Sequence, residues 1–291
     1  MTSAQLQQHL NDSYPQRRWV DRFMRLVLLL SAFVALAPLF SVLVYVLSRG
    51  IPGLNLSFFT QIPQPVGEPG GGMANALVGT CTLVAIAAAI GVPWGVAAGV
   101  YLSEYGKSKI ASVVRFGIDM LASVPSIVVG LFVYAVVVFP MGGFSAIAGG
   151  IALAILMIPT VARSTEEMLR LVPTHIREAG LALGLPRWKV ILRIVLRGCV
   201  SAITTGVMLA IARVSGETAP LLFTALNNRF WHQGLDQPIA SLPVQIYSYA
   251  ISPFEQWHVQ AWAGALVLVL LVFVMNIAAR VFLGGDAIGR E

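Results

Sequence analysis

Six apolar runs, each long enough to cross a bilayer as a helix, limit what this chain can fold into. They lie at about 25–48, 74–102, 115–139, 144–162, 199–225 and 260–283. Roughly 18 or more consecutive apolar residues make a membrane-spanning helix. Inside lipid every backbone N–H and C=O must be satisfied within its own segment, so runs of this kind fold as helices. The expected class is all-α: a polytopic membrane protein with six transmembrane helices. Composition agrees, with 57% hydrophobic residues, 11% charged and a mean hydropathy of +0.80, well outside the range of soluble domains. The first run follows Arg17, Arg18, Arg22 and Arg25, as a signal peptide would. Its apolar stretch is longer than the roughly 7–15 residues of a cleaved leader, so it reads as a retained span.

The basic residues set the orientation. Sixteen of the 19 lysines and arginines fall in the N-tail, the second and fourth loops and the C-tail, and only Arg49 and Arg229 fall in the opposite loops. Positive loops stay in the cytoplasm, so both termini are expected to be cytoplasmic. This distribution also accounts for the net charge of +6: the cations sit between apolar runs, which points to the lipid bilayer and to no nucleic acid. Cys81 and Cys199 have neither metal-ligand nor redox spacing and read as small packing residues.

The expected domains are a cytoplasmic tail at 1–24, a first transmembrane helix at 25–48, an external loop at 49–73, a transport core at 74–283 and a tail at 284–291. The core carries a cytoplasmic loop at 163–198 and an external loop at 226–259. Loop 49–73, with Pro63, Pro65, Pro69 and Gly70 to Gly72, reads as an irregular connector. In the second run Gly91, Gly95 and Gly99 form a small-xxx-small face for close helix packing. Pro93, Pro125 and Pro159 are expected to interrupt runs two, three and four. A proline frees a carbonyl that must find protein or a wet cavity, so Ser123-Val-Pro125-Ser126 marks a cavity-facing break.

The fourth loop has its own punctuation. Pro173-Thr174 opens a helix over His175–Leu183, Gly184 suits the left-handed position that ends it, and Pro186 suits the start of the next. Trp188, Ile191, Leu192 and Val195 then share one face of a second helix, with Lys189, Arg193 and Arg197 on another. That helix would lie on the membrane and lead into the fifth run. His175 reads as a solvated loop residue, and Glu166 and Glu167 as salt-bridge partners of the basic block. His232 and His258 accompany Trp231 and Trp257 in the outer loop, where an interfacial belt or a protein docking face fits.

The sequence Glu178-Ala179-Gly180, three residues, Gly184, nine residues, Ile194-Val-Leu196 resembles the EAA loop of type I ABC importer permeases. Gly180 stands for the family's second alanine and Arg197 for its closing proline. Three further stretches, Ser123–Leu131, Ile158–Arg163 and Arg213-Val-Ser-Gly-Glu-Thr-Ala-Pro-Leu-Leu-Phe-Thr224, are similar to PstA-type permeases of phosphate-specific ABC importers, rather than to their PstC-type partners. The resemblance covers about 74–283. It implies an inner-membrane subunit that forms a phosphate pathway with a second, PstC-like permease. Two PstB-like ABC ATPase subunits and an external PstS-like phosphate-binding protein would complete the importer. It implies that Glu178, Ala179, Gly180, Gly184, Leu185 and Pro186 couple to the ATPase, and no cofactor is expected. Gly106-Lys107-Ser108 ends like a nucleotide-binding loop, but Tyr101 stands where its first glycine should be. The chain is therefore read as a permease and not an enzyme.

Arg213 and Glu217, four apart, are expected to share one face of the fifth helix. A charge at mid-bilayer costs about 2.5–3.5 kcal/mol on insertion scales, so neither should face lipid. Two roles fit. They form a structural ion pair, or Arg213 meets passing phosphate through its planar fork while Glu217 keeps the capture weak. Ser215 and Thr218 are nearby hydroxyls that equally suit bonding to their own helix. Arg163 is either an interfacial anchor or a second guanidinium at the cytoplasmic mouth. With Ser123 and Ser126 these make up the expected pathway set: Arg213, Glu217, Arg163, Thr218, Ser123 and Ser126. Rival readings are a permease for sulfate, molybdate or phosphonate, an ion-coupled secondary transporter, which would want more buried carboxylates and a repeat, and a membrane sensor.

Overall fold

The computed structural model describes residues 3–65, 68, 70–106 and 108–284, with side chains described from residue 18 to residue 277. Lys107 of the nucleotide-loop lookalike, and the chain ends 1–2 and 285–291, lie outside the described residues. The chain divides into two compact units, Met1–Arg49 and Gly50–Glu291. The first unit consists of the long helix α1, Ser3–Gly50.

In the second unit a 3-10 turn and the short helix α2, Leu56–Thr60, precede α3, Ala74–Glu104. The elbow pair α4, Lys109–Ser123, and α5, Ser126–Val133, follows. A widened π turn then leads to α6, Phe139–Met141, next to Pro140, which has no N–H to give the preceding turn. Helix α7, Ala146–Arg170, comes next, followed by α8, Thr174–Ala182, and α9, Arg187–Val190. A second π turn joins α9 to α10, Leu196–Gly198, and then come α11, Val200–Ser215, and α12, Ala219–Thr224. The unit closes with α13, Leu242–Ala250, and α14, Glu255–Gly284. Among the described residues the secondary structure is helical throughout.

Four helices are long and apolar enough to span a membrane, and two bent pairs raise the number to six. Runs three and five are those pairs. Lys109–Ser123 and Ser126–Met141 meet at 104°, and Arg187–Gly198 meets Val200–Ser215 at 71°. The third run is therefore divided at Val124-Pro125, the break expected at Ser123-Val-Pro125-Ser126, and its first helix begins before residue 115. The residue before a proline is pushed out of helical conformation, and Val124 is extended (φ −68°, ψ 130°) before Pro125 (φ −57°, ψ 136°). The fifth run is also not continuous to 225, because α11 stops at Ser215. Pro93 and Pro159, in contrast, sit inside unbroken helices, so only Pro125 of the three prolines breaks one.

The centre of the unit is α3 packed along α7, with α11 and α12 closing a core of Leu83, Leu153, Met157, Val161, Val214 and Leu221. The glycine face of α3 makes this contact. A Cβ on Gly95 would fall 2.7 Å from Cβ of Val161, and one on Gly99 2.6 Å from the Ala162 carbonyl oxygen. Helices this close leave no room for a side chain, so the spacing of four reports helix packing. The segments 49–73 and 226–259 are more ordered than their composition implies. Loop 49–73 contains α2, capped by the Asn55 side chain on Phe58 N at 2.7 Å. Loop 226–259 contains α13 and is tied to α3 by Asn75 Nδ2 donating to Asn228 O at 2.7 Å and Leu242 N donating to Thr80 Oγ1 at 2.8 Å.

Candidate functional site

The elbow at Val124-Pro125-Ser126 opens a cavity of about 170 Å³, whose other walls are Leu156, Pro159 and Thr160 of α7 and the pair Arg213 and Glu217. At about 30 Å³ of liquid volume per water, this is room for roughly five waters or a small oxyanion with part of its shell. Arg213 lies in the last turn of α11, where the partial negative charge of the helix end favours a cation. The chain then leaves the helix at Gly216. Glu217 is thereby removed from the i, i+4 position that an unbroken helix would have given it. Among the described residues no ion pair joins Arg213 to Glu217. The two groups share a cavity wall with no bond between them, which corrects the structural-pair expectation. Helix α12 is seated against α5, where a Cβ on Gly130 would fall 2.6 Å from Cα of Pro220, and this packing brings Glu217 to the elbow.

Of the six expected pathway residues, the cavity gathers Arg213, Glu217 and Ser126 and adds Thr160. Thr160 lies in the Ile158–Arg163 stretch that carried part of the family resemblance, but it was not singled out as a pathway residue. Ser123 turns back on its own helix, donating to Met120 O at 2.8 Å, and Ser215 does the same with Ile211 O at 2.7 Å. Thr218 precedes α12 without a side-chain cap bond and does not line the cavity. Arg163 stands one turn further along α7, and its Nη2 bonds Asp119 Oδ1 of α4 at 2.6 Å, with both side chains about half exposed.

The helical loop after α7 is shaped by one left-handed residue. Gly184 has φ +76°. Gly184 N donates to Leu181 O at 2.9 Å and Leu185 N to Gly180 O at 3.3 Å, the paired bonds of a Schellman cap. Pro186, extended, then starts α9. Gly180 is buried against Val190 and Ile194, while Glu178, Ala179 and His175 are exposed on α8.

A set of charge contacts that sequence spacing did not reveal fixes this loop. Arg177 gives Nε at 3.0 Å and Nη2 at 2.8 Å to Glu104 Oε1 at the end of α3, and also bonds the carbonyls of Val172 at 2.6 Å and Leu169 at 2.8 Å. Arg187 donates to Glu104 O at 2.6 Å and lies over the Tyr105 ring at 4.7 Å. Glu166, buried on α7, accepts from Arg115 at 2.8 Å and Arg170 at 2.6 Å, as expected of an acid in the basic block. Arg115 and Glu166 are 51 residues apart and Arg177 and Glu104 are 73 apart, so nothing local in the chain pairs them; only Arg170 and Glu166, at i,i+4, are neighbours on one helix among these contacts. In the segment 226–259 His258 contacts Ser252 O at 2.7 Å, and Trp257 stacks on Tyr249 at 4.6 Å.

Residues 91–283 match the family of binding-protein-dependent transport system inner membrane components. A phosphate transport system permease protein PstA of Yersinia pestis is 50% identical over 270 residues, covering 91% of this chain and 92% of that protein. Its counterpart in Haemophilus influenzae is 49% identical over 254 residues, covering 87% and 90%. Among solved structures, a chain of the inward-facing MetNI methionine ABC transporter superposes with a TM-score of 0.59 at 19% identity, over 74% of this chain and 94% of its own. An amino acid ABC transporter with histidines gives 0.51 at 18% identity, over 72% and 89%. Both structural likenesses concern the fold.

Proposed function

Since this chain belongs to the binding-protein-dependent transport system inner membrane components, among the PstA-type phosphate permeases, we propose that it forms, with a second permease subunit, the path of inorganic phosphate through an ATP-driven importer of the bacterial inner membrane. Such a permease works with a substrate-binding protein outside and ATPase subunits inside. In this reading they are a PstS-like phosphate-binding protein and two PstB-like ATPases, with a PstC-like chain as the second permease. Both termini and the loop 163–198 are cytoplasmic, and 49–73 and 226–259 face the periplasm. The tails 1–24 and 284–291, the first span at 25–48 and the core at 74–283 keep the boundaries read from the sequence.

One observation supports the reading: a cavity at a helix break in which Arg213 has no bonded countercharge among the described residues and Glu217 shares the wall. A guanidinium without a salt-bridge partner is ready to offer two donors to two oxyanion oxygens. The carboxylate across the same space lowers the anion's residence, as a transport path requires. Ser126 and Thr160 supply neutral hydroxyl donors. Energy enters at the exposed face of α8, Glu178 and Ala179, when the ATPases close, and the Gly184 cap holds the following Leu185 and Pro186 in register. Arg177 and Arg187 hand the displacement to the ends of α3 and α7 through Glu104.

The test is a reconstituted importer in proteoliposomes, with labelled phosphate offered against equal labelled sulfate or molybdate. ATP-dependent phosphate movement that the other oxyanions do not match is the expected result. Preferential movement of sulfate or molybdate would leave the subunit a permease for a different oxyanion. Movement that follows an ion gradient without ATP would make it a secondary transporter.

A further inference from the structure

Three carboxylates join separate helices across this unit, and they are not alike. Glu104 and Glu166 are nearly enclosed, with 6% and 9% of their side chains exposed. Glu166 holds two arginines, and Glu104 holds one that is also fixed by two backbone carbonyls. Asp119 makes one contact, to Arg163, with 47% and 50% of the two side chains exposed. The first two are braces. The third is half exposed and singly bonded.

Its position is informative. On α7, Leu156, Thr160 and Arg163 follow at i, i+4 and i+7, a single helix face. The first two line the Arg213 cavity. On α4, Asp119 precedes Ala122 by three residues, and Ala122 lines the facing wall. The Asp119–Arg163 bridge thus spans both walls about one helical turn, roughly 5.4 Å, beyond the cavity, toward the basic loop. An anion leaving Arg213 in that direction meets Arg163 next, and finds it occupied by a carboxylate.

We propose that Asp119 is a displaceable latch at the cytoplasmic mouth: it occupies Arg163 at rest and yields to phosphate arriving from Arg213. No bond is made or broken in this exchange beyond the ionic contacts. The carboxylate and the phosphate compete for one guanidinium. Asp119 then returns, evicting phosphate toward the cytoplasm and shielding Arg163 from the phosphate already there. This deepens the proposed transport reading and rests on it.

The experiment uses the whole importer in proteoliposomes, with the binding protein in the lumen and the ATPases outside, so that bath phosphate stands for cytoplasmic phosphate. ATP-driven release of labelled phosphate is measured against rising unlabelled bath phosphate and normalised to assembled complex. Exposed ion pairs are weak, so Asp119→Asn should lower the half-inhibiting phosphate concentration by about two- to fivefold. Arg163→Gln should raise it, and Asp119→Glu should restore the parental value. If the pair only packs α4 on α7, Asp119→Asn and Arg163→Gln will lose assembled complex alike, with unchanged inhibition, and the latch is refuted. Shifts in the same direction refute it equally. If the parental importer moves no phosphate at all, the transport reading itself fails, which is a separate result.

Discussion

Replacing Gly184 tests the coupling loop without removing a contact. A Cβ built there meets nothing within 4 Å, and the backbone sits at φ +76°. The whole cost of a side chain is therefore conformational: about 1–2 kcal/mol for an ordinary L-residue held in the left-handed region, more for a β-branched one and less for asparagine. That amount changes a local equilibrium by a factor of about 5–30. If ATP-driven movement requires the Schellman cap that turns α8 into α9, uptake should fall in the order Gly, Asn, Ala, Val. Gly184→Asn should stay near the parental rate, Gly184→Ala should drop by up to that factor, and Gly184→Val should be close to inactive. The assay is labelled-phosphate uptake per assembled complex, with ATP hydrolysis measured alongside. Near-parental uptake by Gly184→Val would remove the loop from the coupling path. Equal loss in the asparagine and alanine variants would show that it is not backbone geometry that matters.

Other expectations follow from the same geometry. With no ion pair between Arg213 and Glu217, Arg213→Gln and the double change Arg213→Gln with Glu217→Gln should both lose about ten- to a hundredfold of uptake, the worth of a charged hydrogen bond; near-normal uptake by the double variant would return both residues to a packing role. Glu217→Gln alone should assemble but release phosphate slowly, seen in single-turnover measurements. In a background without Cys81 and Cys199, a cysteine at 70 or 236 should react with an impermeant thiol reagent from outside and one at 107 or 187 should not; the opposite pattern would invert the topology. Glu104→Gln should hydrolyse ATP while moving less phosphate per ATP, because the loop loses its hold on α3; an unchanged phosphate-to-ATP ratio would show that the Arg177 contact carries no force.

Much of this architecture was legible because lipid imposes simple rules. Apolar length located the helices, the glycine spacing located the α3–α7 contact, and Gly184 announced its own positive φ. Two kinds of information were not local. One was whether a proline breaks a helix. Pro93 and Pro159 are tolerated because α3 and α7 support each other along their length, whereas Pro125, which the flanking Ser123 and Ser126 had already set apart, stands where α4 can turn away. The other was charge pairing. Arg213 and Glu217 have a favourable spacing, yet Gly216 ends the helix between them. The bridges that do form, to Asp119, Glu166 and Glu104, join residues 44, 51 and 73 apart and depend on how whole helices are stacked.

Helix α7 connects these parts, and its order along the chain bears on the proposed mechanism. Leu156, Pro159 and Thr160 wall the cavity, Arg163 meets Asp119, Glu166 holds Arg115 and Arg170, and the carbonyls of Leu169 and Val172 receive Arg177. On the proposed reading, successive turns of α7 and the residues just after it thus run from substrate space to mouth, brace and coupling loop. Such a helix, packed closely against α3, has no soft point at which to absorb a displacement delivered at its end. The elbow at Val124-Pro125 does: both residues are extended, and it joins helices at 104°. On the proposed reading, a push on the loop therefore moves α7 as a unit, and the motion appears where α4 meets α5. There it changes the cavity around Arg213 and the Asp119–Arg163 bridge together, so that opening the mouth and loosening the anion are one event.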